Sequence, residues 1–191
     1  SLNEIEIYFK AKKMLKSLNK FDIVQLINER SFNTAASLEI KLLKQVFEKN
    51  ENVFLLACGV DYNSVNYAYK KEFKYSILTP FFENKKLKKE YRHILKYLNS
   101  DHKKLSIYLK KNIRGVISSD LDYHIPYKNS KKYIGMIPNP INIDLLKDCT
   151  INFENTIVIL HAINSKNKIK KGNIFFEKAL KKIKNKYNDK I

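Results

Sequence analysis

Helical periods alternate with short, β-rich apolar runs along most of this chain, and that alternation narrows the fold more than any other feature. Residues 4–18 carry Ile5, Tyr8, Ala11, Leu15 and Leu18 at helical spacing, with lysines on the other face. Phe21-Asp22-Ile23-Val24-Gln25-Leu26-Ile27 follows as a run suited to a buried parallel strand. A helix over 34–49, with Thr34 as its N-cap, precedes a second strand over 53–57. Helices over 86–98 and from Asp101, as N-cap, to about Lys111 precede a third strand over 113–118. A last strand, Thr156–Leu160, precedes an amphipathic helix over 173–187. Strands in alternation with helices point to βα units: an α/β fold with a Rossmann-like parallel sheet flanked by helices. The aromatics Tyr67, Tyr69, Phe73, Tyr75, Phe81 and Phe82 are expected to cover a core beneath a long loop.

The apolar share, 44% of 191 residues, is enough for a packed core. No run of about 18 apolar residues occurs. Residues 1–13 lack the apolar centre of a secretory leader, so a cytoplasmic setting is expected. Cys58 and Cys149 are therefore expected as free thiols. No CxxC or HExxH spacing supports a metal site. The formal charge of +18 invites nucleic acid or an anionic membrane as partner. Yet only three of the 37 basic residues are Arg, the side chain that reads bases bidentately. Lys (34), Asn (21) and Ile (23) together match the bias of AT-rich codons. Nucleic acid is therefore the less favoured partner, and weak association with the inner face of an anionic membrane is kept.

In α/β proteins, ligands gather at the carboxyl ends of the strands. Three loops qualify. After the first strand, Glu29 and Arg30 are expected as an exposed pair. After the second, Gly59 permits a tight turn or a close backbone approach, with Tyr62 beside it. Asp61 in this loop either takes a proton from a bound hydroxyl or caps the next turn. After the third, Asp120, Tyr123 and His124 stand together, and His124 is the histidine best placed for chemistry.

Residues 135–172 form a junction. Ile137-Pro138-Asn139-Pro140-Ile141-Asn142 is a proline-marked crossing. Beyond the 156–160 run, a lysine-rich loop, 161–172, ends in Lys171-Gly172 at a helix start. Helix N-termini favour phosphate. Neither GxxxxGK[ST] nor GxGxxG is present, so this is not a P-loop or dinucleotide fingerprint.

The segment IPNPINID, followed after a gap by TIVILHAINSKNKIKKGNIFFEKALKKI, resembles the domain junction of group 1 glycosyltransferases of the two-Rossmann-domain (GT-B) type. FDIVQLIN, ACGVDY and GVISSDLDY are loosely similar to strand ends of that family's acceptor domain. The resemblance implies an acceptor-type domain over 1–137, then the crossing and first βα unit of a donor-type domain over 138–191. It implies transfer of a sugar from a nucleotide-diphosphate donor to a glycan or lipid-linked acceptor, as in cell-surface polysaccharide synthesis, with no further cofactor. Lys171 and Gly172 match the family's KG, and His161 its strand-end residue. Lys166, or Ser165, stands near its phosphate-contacting Arg or Lys. Asp61 and His124 become the catalytic candidates, and Gly59, Tyr62, Asp120 and Tyr123 the acceptor side. The family's opening strand with its glycine turn and its E-x7-E segment are missing, so the chain is expected to be truncated at both ends and inactive alone. A basic nucleic-acid module and a non-catalytic ligand-binding domain remain as alternatives.

Overall fold

A computed structural model describes residues 2–145, 158–163 and 169–187. By its internal contacts the chain divides into two units: Ser1–Phe73 with Glu90–Pro140, and Lys74–Lys89 with Ile141–Ile191.

The first unit begins with α1 (Leu2–Ser17), β1 (Val24–Ile27), α2 (Ala36–Lys49), β2 (Val53–Ala57) and α3 (Tyr62–Tyr69). It resumes within α5 (Lys88–Leu95) and continues through α6 (Ser100–Asn112), β3 (Gly115–Ser118), α7 (Leu121–Tyr127) and β4 (Tyr133–Met136). The intervening α4 (Thr79–Glu83) belongs to the second unit. All four strands are parallel, in the order β1-β2-β3-β4. For parallel strands in that order, the right-handed crossover rule puts the first unit's own connecting helices on one face. Burial agrees. In β2, Val53, Leu55 and Ala57 are buried, while Phe54 and Leu56 are only half-buried.

Register explains the core. Leu26 stands opposite Leu55, and Leu55 opposite Val116, so one row of apolar side chains crosses three strands under the helices. Leu42, Leu43, Val46, Leu105 and Leu109 pack onto that row from α2 and α6. On the far face Ile27 and Ile134 remain exposed. Parallel sheets are normally covered on both faces, so this exposure among the described residues is unusual.

The sheet is thus α/β, parallel and helix-flanked, as the alternation indicates, but several details differ. Asn99, not Asp101, caps α6 by accepting from His102 N at 2.9 Å. Thr34 does not cap α2; its N–H and hydroxyl both donate to the buried Glu39 carboxylate, at 2.7 and 3.0 Å. Helices α3 and α7 and strand β4 occupy stretches read as loop or crossing. The strand expected at 156–160 is not formed by its described part: Val158, Ile159 and Leu160 are exposed and unpaired with any strand.

In the second unit, α8 (Asn173–Tyr187) is the longest described element. Lys85 Nζ lies 4.1 Å from the Phe81 ring centre and 4.8 Å from that of Phe82. No helix among the described residues is long and apolar enough to cross a membrane.

The two faces of the sheet should respond differently to truncation. Leu55→Ala is expected to cost about 2–5 kcal/mol in urea unfolding, whereas Ile27→Ala should stay within about 0.5 kcal/mol. An equal cost at both positions would mean that the far face is covered in solution.

Candidate functional site

The loops at the carboxyl ends of β1, β2 and β3 are tied together by side chains. Asn28 adopts φ +70°, and its amide Nδ2 donates to the carbonyls of Cys58 and Val60. Its Oδ1 accepts from Arg30 N at 3.0 Å. Gly59, at φ +63°, allows this approach, since a Cβ there would stand 3.1 Å from Asn28 Nδ2. So one asparagine clamps the β1 and β2 loops, and glycine makes room for it.

Glu29 is not an exposed loop residue. It is 1% exposed, and its Oε2 accepts from Tyr62 N at 3.0 Å. Among the described residues its Oε1 closes no hydrogen bond of ordinary geometry. Burial, and then the negative charge of Asp61, push the Glu29 carboxyl up to about 8. The Tyr62 amide, the Ser106 hydroxyl beside it and the Lys110 ammonium pull part of the way back. Arg30 is also turned inward: Nε donates to Thr34 O at 2.7 Å, and the guanidinium pairs with Glu4 at 3.2 Å. A carboxyl and a guanidinium that leave water need such partners, and here the following loop and α1 supply them.

Asp61 is likewise 1% exposed. Its Oδ1 accepts from Ser64 N at 2.6 Å as the N-cap of α3, and its Oδ2 accepts from Tyr127 OH at 3.2 Å. Burial raises its pKa, and the Ser64 and Tyr127 donors oppose that rise. Lys110 reaches this pair from α6, where it also donates to Asn63 Oδ1 at 2.8 Å. Burial lowers the Lys110 pKa, and the two carboxyls hold it up. The expected role of Asp61 as proton acceptor for a substrate hydroxyl therefore meets a structural obstacle. Both oxygens are engaged, and the group has almost no surface.

The β3 loop carries a second polar chain. His124 Nδ1 lies 2.7 Å from Tyr133 OH, which lies 2.8 Å from Ser118 Oγ. Asp120 caps α7, accepting from Asp122 N at 2.9 Å and from Ser119 Oγ at 3.1 Å. Tyr123 is partly buried; burial, then Asp61, Asp120, Asp122 and Cys58, push its phenol up. Gly59, Asp61, Tyr62 and Tyr123 thus gather at one edge, while His124 bonds to Tyr133 and not to Asp61.

In the second unit, Lys166 and Ser165 lie outside the described residues. Gly172 adopts φ +72° and opens α8; Lys171 beside it is exposed. The His161 ring stacks on Phe176 of α8 at 4.0 Å, and its Nε2 is buried with no partner among the described residues. No metal-binding cluster of His, Cys, Asp or Glu occurs among the described residues.

Sequence reasoning did not single out Lys110, Ser118, Tyr127 or Tyr133. Lys110 could have been found, because His102, Ser106 and Lys110 recur at i, i+4 on one face of a helix otherwise read as apolar-striped. Tyr133 carried no signal of its own. No protein-family model, no curated protein and no solved structure matches this chain.

Because the folded pKa of Glu29 lies above the unfolded value of about 4.3, the folded state binds the extra proton. That stabilisation is complete below about pH 4.3 and is lost as pH rises towards about 8. Glu29→Gln, which keeps the neutral shape, should raise Tm at pH 8.5 by the equivalent of a few kcal/mol at most and flatten the pH dependence across this window. The comparison is a thermal melt of both proteins from pH 4 to 9.

Proposed function

We propose that this chain is part of a glycosyltransferase of the GT-B type. In this reading the first unit faces the acceptor, and the described start of α8 belongs to the donor-diphosphate site. One observation carries it. The resemblance assigns His161 and Lys171-Gly172 to one site, although nine residues separate His161 from Lys171. The His161–Phe176 stack places residue 161 against the helix that Lys171-Gly172 opens. The first turn of a helix leaves amide donors unsatisfied, and an adjacent Lys adds charge, so a diphosphate is the ligand such an end accepts best.

The departing nucleotide diphosphate would be stabilised there by these donors and by positive charge. The acceptor hydroxyl would be held at the carboxyl edge of the first unit, near Tyr62, Asp120, Tyr123 and His124. Asp61 is reassigned from catalysis to holding α3 and Tyr127. The reading goes with a cytoplasmic setting, peripheral to the membrane's inner face, and with a glycan or lipid-linked acceptor.

Calorimetric titration with a panel of UDP- and GDP-sugars tests it. At least one should bind, and Lys171→Ala should weaken that binding about tenfold, as expected for a lost charge-assisted contact. Absence of binding across the panel contradicts the proposal.

A further inference from the structure

The Ser118–Tyr133–His124 chain has a direction, and the direction sets what His124 can do. Ser118 is fully buried, so its hydroxyl proton needs an acceptor within the protein. Two oxygens are in reach: Tyr133 OH at 2.8 Å and Gly135 O at 3.5 Å. Hydroxyl hydrogen bonds cluster at about 2.7–2.8 Å, and the Gly135 contact is at the outer limit, so donation to Tyr133 is the stronger of the two arrangements. A phenol carries a single proton. With Ser118 donating to it, Tyr133 donates its own onward, and Nδ1 of His124 lies 2.7 Å away. Nδ1 is then the acceptor nitrogen, and the neutral imidazole holds its proton on Nε2. The His124 and Tyr133 rings meet edge to face, with centroids 5.5 Å apart, which fixes the imidazole plane as well.

Nε2 has no partner among the described residues, and His124 keeps part of its surface at the carboxyl edge of the sheet. We infer that His124 presents Nε2–H as a fixed hydrogen-bond donor to an oxygen of a bound ligand, and that Tyr133 is the positioning residue that sets this tautomer. The ligand class is an oxygen acceptor such as a sugar hydroxyl or a phosphate. This deepens the transferase reading, on which the ligand class rests, and it changes the role of His124. A histidine whose Nδ1 is engaged and whose Nε2 carries the proton donates; it does not remove a proton from the acceptor hydroxyl. Ser118 secures the arrangement from beneath, because β3 pairs Val116, two residues before it on the same strand, with Tyr133 of β4.

Nitrogen-15 NMR of the histidine rings tests the tautomer without any ligand. At alkaline pH, where an imidazole is neutral, His124 of the wild type should show a bare Nδ1 and a protonated Nε2. In Tyr133→Phe the two nitrogens should move towards averaged values, and in Ser118→Ala the shift should be smaller, because the Tyr133 donor remains. A merely structural tyrosine would leave the ring nitrogens unmoved in Tyr133→Phe, and that result overturns the proposal. So does a wild-type ring protonated on Nδ1. If the tautomer is as stated but no nucleotide sugar binds, the transferase reading falls and the donor role of His124 stands.

Discussion

Two carboxyl groups lie buried at the ends of adjacent strands, and the carboxyl edge of the sheet is arranged around making that tolerable. Glu29 follows β1 and Asp61 follows β2. Two ionised carboxylates this close and this dry would destabilise the fold. Three things relieve the cost. Asp61 receives the Ser64 amide and the Tyr127 hydroxyl. Lys110 brings a positive charge from α6. Glu29, with the fewest donors, keeps its proton. The result is a pair of buried carboxyls within the field of the Lys110 ammonium, and it joins β1, β2, α3, α6 and α7 in a single network.

That network decides which groups at the edge are free to act. Once Glu29, Asp61, Arg30 and Asn28 are engaged in holding loops together, they are no longer candidates for substrate. The groups left with surface are Asp120, Tyr123 and His124 after β3, and Tyr62 at the start of α3. A rigid support beneath a few exposed polar groups is how α/β folds place a binding edge. In a doubly wound sheet the strand order reverses and opens a crevice. These four strands run in one order without a reversal, so their edge is a shelf.

Strands and helices were legible where periodicity was long. The stripes of α2 and α6 and the runs of β1, β2 and β3 are readable because the burial row Leu26–Leu55–Val116 imposes them. β4 was not, because Tyr133-Ile134-Gly135-Met136 is four residues long, sits at an edge and carries a glycine. Nor was α7, whose Pro126 argues against a helix until Asp120 supplies its cap. At the site, Asp61 was legible as a cap or an acid, and the cap is what the geometry displays. Glu29 was misread as exposed, because a Glu after a strand looks solvated until Asp61 and Lys110 are known to converge on it. Convergence of residues 32 and 81 positions apart along the chain has no local signature. At the second unit, Gly172 immediately precedes α8, and its positive φ is one that glycine adopts without a Cβ penalty.

The buried pair requires Glu29 to be a neutral acid at neutral pH. Carbon-13 NMR of its side-chain carboxyl, followed from pH 3 to 10, reads this directly. A carboxyl that stays protonated at pH 7 and titrates at about 8 is the outcome the buried pair requires. A carboxyl that ionises near the ordinary value of about 4.3 would contradict it, and with it the idea that this pair holds the edge together.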